Sequence, residues 1–269
     1  GVITVMEPGE LGNKESGVDA GLVAAMLGIM DQTQVQDALT PEMAEDLAGK
    51  MSASDVGLMD SDSAAAMMST MGAETAATAM EADSLASMIG VMDSEAIGQT
   101  LDAESAGSIA QALTRENLEG LGAEQAAGIA TAMDPDQLAA LDADQAAGMA
   151  TAISAEPDQL LEMDSESVAA MATTMEASDM GALGSDMVGT MMAAMDSEQL
   201  GGMSDEHMAE ALETTGADHM GAGAANFDEI EAAATFLSEA PVETPESFAE
   251  MVQAEGAASF FSGMFGGES

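Results

Sequence analysis

A chain of 269 residues with 50 Asp and Glu against 3 Lys and Arg carries a formal net charge of −47, which excludes duplex nucleic acid and anionic membrane surfaces as direct partners, since both are gripped through Lys and Arg. A hydrophobic content of 47% argues against wholesale disorder, and the apolar residues are chiefly Ala, Met, Leu and Ile with no Trp or Tyr, so helices are favoured over sheets. With no Cys there is no disulfide framework, thiolate metal site or thiol nucleophile.

In chain order, Gly1 rather than Met stands first, in keeping with a removed leader or a trimmed chain. Export to an extracellular or periplasmic space is the expectation, with the cytoplasm of a halophile as the alternative. Residues 1–17 hold a short extended apolar segment, Val2-Ile3-Thr4-Val5, closed by Pro8 and Gly9. The longest uninterrupted apolar stretch, Gly21 to Met30, is about half of the roughly 20 residues needed to cross a bilayer, so no membrane insertion is expected.

From Val18 onward an apolar residue followed by a helix-capping residue recurs every 20 to 22 positions. These anchors are Val18, Leu39, Met59, Met80, Leu101, Leu121, Leu141, Met163, Leu183 and Met203. Apolar residues stand eight and twelve positions after each of the first nine, from Met26/Met30 and Leu47/Met51 through to Met191/Met195, and Val, Ala or Leu stands five after. Those offsets differ by three and four, so they share one helical face. A first helix of about eleven residues is predicted in each repeat.

Capping residues such as Asp19, Thr40, Asp60, Asp102, Asp142 and Asp164 follow the anchors, with Glu81 the poorest of the set, and a second set, including Asp31, Ser52, Asp93, Thr114, Asp134, Ser154 and Asp196, lies thirteen after them. Each repeat therefore contains two helix starts. Asp134 with Gln137, Asp142 with Gln145, and Asp196 with Gln199 have capping-box spacing, and Pro41 and Pro135 sit in first turns. The second helix, of six or seven residues, carries one apolar residue before the next anchor: Val35, Val56, Ile97, Leu118, Leu138, Leu160, Met180 or Leu200. Helices that short need tertiary packing, here expected from stacking on neighbouring repeats. Residues 18–215 thus read as an all-α solenoid of about ten helix-pair repeats.

After Met203 the spacing slips, as in a terminal repeat. Residues 216–269 form a separate segment holding all six Phe, with helices expected over Asp228–Ser238 and Glu246–Ala254, a Pro241–Pro245 linker, and a tail ending in Phe260, Phe261 and Phe265.

Acid pairs Asp60/Asp62, Asp102/Glu104, Asp142/Asp144, Asp164/Glu166 and Asp196/Glu198 suit the oxygen preference of Ca²⁺ or Mg²⁺, although none closes an EF-hand loop. The alternative is that the first acid caps its helix and the second complements the helix dipole. Thioether clusters such as Met67, Met68 and Met71, or Met191, Met192 and Met195, suit Cu(I) on paper, but most Met residues occupy core offsets where other repeats use Leu and Ile. His207 and His219 lie beside acids without further ligands of their own, and no catalytic constellation is visible. No cofactor is required; Ca²⁺ or Mg²⁺ could bind weakly.

The runs Leu141-Asp142-Ala143-Asp144-Gln145-Ala146-Ala147 and Met133-Asp134-Pro135-Asp136 resemble the Leu-Asp-Pro-Glu-x-Ala-Ala repeats in the superhelical N-terminal domain of magnesium-gated magnesium channels, whose helix pairs also occur in flagellar motor-switch proteins. The resemblance spans residues 18–215 and implies a superhelix of helix pairs and, in that channel family, a part in sensing Mg²⁺. The channel's membrane region and nucleotide-binding modules have no counterpart in the sequence.

The leading functional expectation is a non-enzymatic structural or scaffold protein, a subunit of a filament or larger assembly. Val2, Ile3 and Val5 at one end and Phe260, Phe261 and Phe265 at the other would contact like copies or a complex. The alternatives are a divalent-cation binding or sensing protein and a soluble adaptor for a basic partner.

Overall fold

The computed structural model describes residues 19–219; Val18, the segment Val2–Val5, the Phe-rich tail and the helices expected over 228–238 and 246–254 lie outside them. Among the described residues there are 18 α-helices, one 3-10 helix and no strand. The protein is an all-α helical repeat.

Long and short helices alternate. They run α1 (Ala20–Leu27), α2 (Gln32–Ala38), α3 (Pro41–Ala48), α4 (Ala53–Val56), α5 (Ser61–Met71), α6 (Ala73–Ala79), α7 (Ala82–Val91), α8 (Ser94–Thr100), α9 (Ala103–Ala112), α10 (Arg115–Glu119), α11 (Ala123–Ala132) and α12 (Pro135–Leu138). There follow α13 (Ala143–Ile153), the 3-10 helix Pro157–Glu162, α14 (Ser165–Thr174), α15 (Ala177–Ala182), α16 (Ser185–Ala194), α17 (Ser197–Gly202) and a final α18 (Asp205–His219). The chain divides into two compact units, residues 1–175 and 176–269, with the boundary inside the repeat array.

Helix starts follow the capping residues. Asp19, Thr40, Asp60, Asp102, Asp142 and Asp164 each accept the backbone N–H of the third helical residue. Glu81, Gly122 and Gly184 make no side-chain cap. Gly72 and Gly184 hold φ of 85° and 86°, a region that only glycine occupies without steric cost, and Gly72 alone joins α5 to α6.

The repeat columns are the core. Five residues after the anchor, Val23, Ala44, Ala64, Leu85, Ala106, Ala126, Ala146, Val168 and Val188 are all buried. So are the residues eight and twelve after from the second repeat to the ninth, and so is the apolar residue of every short helix, with Ala76 serving in the third repeat. The first repeat departs from the expected register: Leu27 is buried there, whereas Met26 and Met30 are only half-buried. Among the described residues no repeat precedes this one to pack against Met26, in α1, and Met30, just after it.

The seventh repeat departs in another way. Ser154 closes α13 rather than opening the next helix, its Oγ donating to Thr151 O at 2.6 Å. Pro157 forces this, since proline disfavours helical φ,ψ at the preceding Glu156 and cannot donate within a helix. The second element therefore starts at Pro157, as a 3-10 turn.

Packing extends further along the chain than stacking on immediate neighbours. In the first compact unit each short helix packs on the long helix two repeats ahead: α2 on α5, α4 on α7, α6 on α9, α8 on α11 and α10 on α13. Helix length explains this. A six-residue helix is about 9 Å long, no more than a helix is wide, so the long helix two repeats on comes within reach past it. α13 approaches α10 closely at Gly148, where an added Cβ would stand 2.8 Å from Arg115 O and 3.1 Å from Leu118 Cβ. In the second compact unit α18 packs on α15 and α16, with Met208 and Ala211 buried.

Candidate functional site

The acid pairs singled out in the sequence occupy the helix starts and are engaged there. Asp60 Oδ1 accepts from Ser63 N at 2.9 Å, Asp102 Oδ1 from Ser105 N at 3.0 Å, and Asp142 Oδ1 from Gln145 N at 2.8 Å. Asp164 accepts from both the N–H and the hydroxyl of Ser167, each at 2.8 Å. Asp196 Oδ1 accepts from Glu198 N and Gln199 N, both at 2.9 Å. The second acids, Asp62, Glu104, Asp144, Glu166 and Glu198, point to solvent in first turns, where negative charge complements the helix dipole. Asp144 also takes Nη1 of Arg115 at 3.2 Å, linking the fifth repeat to the seventh. No group of three or more His, Asp or Glu side chains poised for a metal ion occurs among the described residues.

Two of these carboxyls are perturbed. The Ser105 hydroxyl and N–H hold Asp102 below the usual carboxylate range. At Asp164 partial burial pushes upward, but the bonds from Ser167, with those from its own and the Glu166 backbone, outweigh it and the carboxyl is held low. Both shifts belong to anionic caps.

The methionine clusters are packing. Met67, Met68, Met71, Met191, Met192 and Met195 are all buried, four of them at the offsets predicted to be core and Met68 and Met192 one position after the first of these. His207 Nδ1 lies 2.6 Å from Ser204 Oγ at the start of α18. An open groove of about 500 Å³ runs beside α4, α7 and α10, lined by Ala53, Gly57, Ser87 and Gly90, with Asn117 Nδ2 donating to Asp83 Oδ1 at 2.9 Å on its wall.

The described residues hold one polar device that spacing alone had not shown. The third residue of the long helix, four after the anchor, is Ser63, Ser84, Ser105, Gln125, Gln145 and Ser167 in the third to eighth repeats. Ser63 Oγ donates to Leu27 O at 2.7 Å, and the Ser84 hydroxyl to Met51 O at 2.9 Å. Gln125 Nε2 donates to Met92 O at 3.0 Å, and Gln145 Nε2 to Gln111 O and Leu113 O at 3.0 and 3.1 Å. Each time the start of one long helix donates to a carbonyl at or just past the end of the long helix two repeats earlier, and Leu27 O accepts the Met30 N–H as well. Ser105 and Ser167 turn instead to their own caps, Asp102 and Asp164. The signal was present as a polar column among apolar ones.

No family model, no curated protein and no solved structure matches the chain. Among the described residues no helix is long and apolar enough to cross a membrane.

Proposed function

We propose that this protein is a non-enzymatic scaffold, an acidic helical-repeat subunit of a filament or larger assembly. One observation carries the reading: the residues that looked most like chemistry are committed to the repeat itself. Capping acids hold helix starts, the methionine clusters fill the core, and the polar column ties one repeat to another. What remains outside is a periodic display of carboxylates on a support of repeated helices, which is how repeat proteins present extended surfaces.

Light scattering of the full chain across NaCl concentration, repeated with CaCl₂ at matched ionic strength, tests this. Regular assemblies above the monomer mass are expected, and they should shrink when residues 256–269, with Phe260, Phe261 and Phe265, are deleted. A monomer in every condition would overturn the proposal.

A second reading, Ca²⁺ or Mg²⁺ held at the helix starts, is favoured by the second acids of each pair, which project into solvent beside the capping carboxylates. Calorimetric uptake of Ca²⁺ beyond that expected from screening would support it, and heats identical to those of matched NaCl would sink it. The likeness of the repeat motif to the magnesium-channel superhelix bears on architecture in either case. An external or halophilic setting suits a chain of net charge −47, because screening relieves its self-repulsion.

A further inference from the structure

The repeat supplies an internal comparison between two packings of the same kind. α10 packs on α13 and α4 packs on α7, each a short helix on the long helix two repeats ahead. In the first pair Arg115, which opens α10, places Nη1 3.2 Å from Oδ1 of Asp144 in the first turn of α13. In the second pair the equivalent positions hold Ala53, which opens α4, and Asp83, in the first turn of α7. The acid is kept there without the guanidinium.

The groove of about 500 Å³ lies at that place, lined by both Ala53 and Asp83. Along α7 its lining is Asp83, Ala86, Ser87 and Gly90, at offsets that share one helical face. All but Asp83 are small, and a Cβ on Gly90 would have no atom within 4 Å. Glu116 of α10 adds a second exposed carboxylate, and no Lys or Arg is among the residues that line the groove. Asp83 Oδ1 accepts the Asn117 amide at 2.9 Å, and a carboxylate, with about four lone-pair sites, has room for further donors.

We propose that this groove docks an arginine of a basic partner protein, its guanidinium held by Asp83 and Glu116 as the chain's own Arg115 is held by Asp144 at the equivalent position. Charge complementarity selects the occupant. The planar fork of a guanidinium matches a carboxylate, and the small residues let the apolar stem of the side chain lie along α7. A second copy is a poorer match: it has 3 basic residues in all, of which Lys50 and Arg115 are engaged in ion pairs of their own. The inference does not rest on the scaffold proposal, since a chain that stays monomeric in light scattering keeps this groove.

Fluorescence anisotropy of a labelled hexapeptide of alternating glycine and arginine, titrated with the full chain in about 0.15 M NaCl, tests this. Two variants close the groove. Gly90→Leu fills it without altering charge, and Ala53→Arg provides a guanidinium of the chain's own; each should weaken binding about tenfold. Two controls match them. Gly98→Leu, in α8, changes a second glycine at which a Cβ would have nothing within 4 Å, and Glu124→Gln, in the first turn of α11, shifts net charge by the same single unit as Ala53→Arg. Both controls should leave the affinity within about twofold of the parent. Circular dichroism checks that each variant is folded, and should one groove variant fail that check, the other decides. Groove variants that weaken binding no more than their controls would show that overall charge holds the peptide, and would overturn the proposal, as would a parent chain that does not bind it.

Discussion

Ser63 and Ser84 are small residues in a chain whose other buried positions are almost all apolar, and their hydroxyls reach backbone carbonyls more than thirty residues away. Burial raises the stakes, because a carbonyl stripped of its donor inside the core regains no water. Ser84→Ala should therefore cost about 1–2 kcal/mol, read as a lower urea midpoint with an unchanged slope. Asp102 and Asp164 make a different prediction. Their folded-state carboxyls are held below the ordinary range, so the stability they add is present above the unfolded pKa and lost as pH falls through the folded one. In 1 M NaCl, where surface repulsion is screened to a length of about 3 Å, the variant Asp102→Asn/Asp164→Asn should lose less stability than the parent below about pH 4 and match its pH response above. That these residues cap helices was legible from spacing alone. That Ser63, Ser84, Gln125 and Gln145 would meet carbonyls two repeats back was not, because a hydrogen-bond partner at that distance is set by how the repeats stack, which local pattern does not encode.

Elements in this protein are short, α4 and α12 having four residues each, and none of that length persists alone in water. Their single buried residues, Val56 and Leu138, are fastened by what stacks over them. Helix-to-helix approach is consequently the sensitive quantity. At Gly148 the neighbour of an added methyl would be Arg115 backbone, which cannot swing aside as a side chain would. Gly148→Ala should thus cost about 1–3 kcal/mol by overpacking α13 against α10. Gly98→Ala, in α8 with nothing within 4 Å of the new methyl, should gain about 0.5–1 kcal/mol from the better helix former. Thermal unfolding of the pair, followed by circular dichroism, checks both signs. At this scale the sequence was most readable: anchors, caps and core columns recur in register, and only a local contradiction such as Pro157 after Ser154 shifts an element start. The half-buried Met26 and Met30 mark the other limit, since a periodic pattern cannot say which of its copies lacks a neighbour.

For the molecule as a whole, electrostatics and stacking pull in opposite directions. A charge of −47 on 269 residues opposes compaction, and it does so most strongly where salt is dilute. Raising NaCl from about 0.01 M to 1 M shortens the screening length from about 30 Å to 3 Å and should raise the melting temperature, each kcal/mol of relieved repulsion adding roughly 2–4 °C. A melting temperature that is flat across this range would show that the carboxylates are too far apart to sense one another. Against the repulsion stands, within the first compact unit, the linkage of a repeat to the second one along. In a simple pile the outermost layer peels away without disturbing what lies two layers beneath. Here the strands of contact are plaited, so tension applied at one end is shared by two repeats at once, and the thread yields as a braid does, by loosening several crossings together.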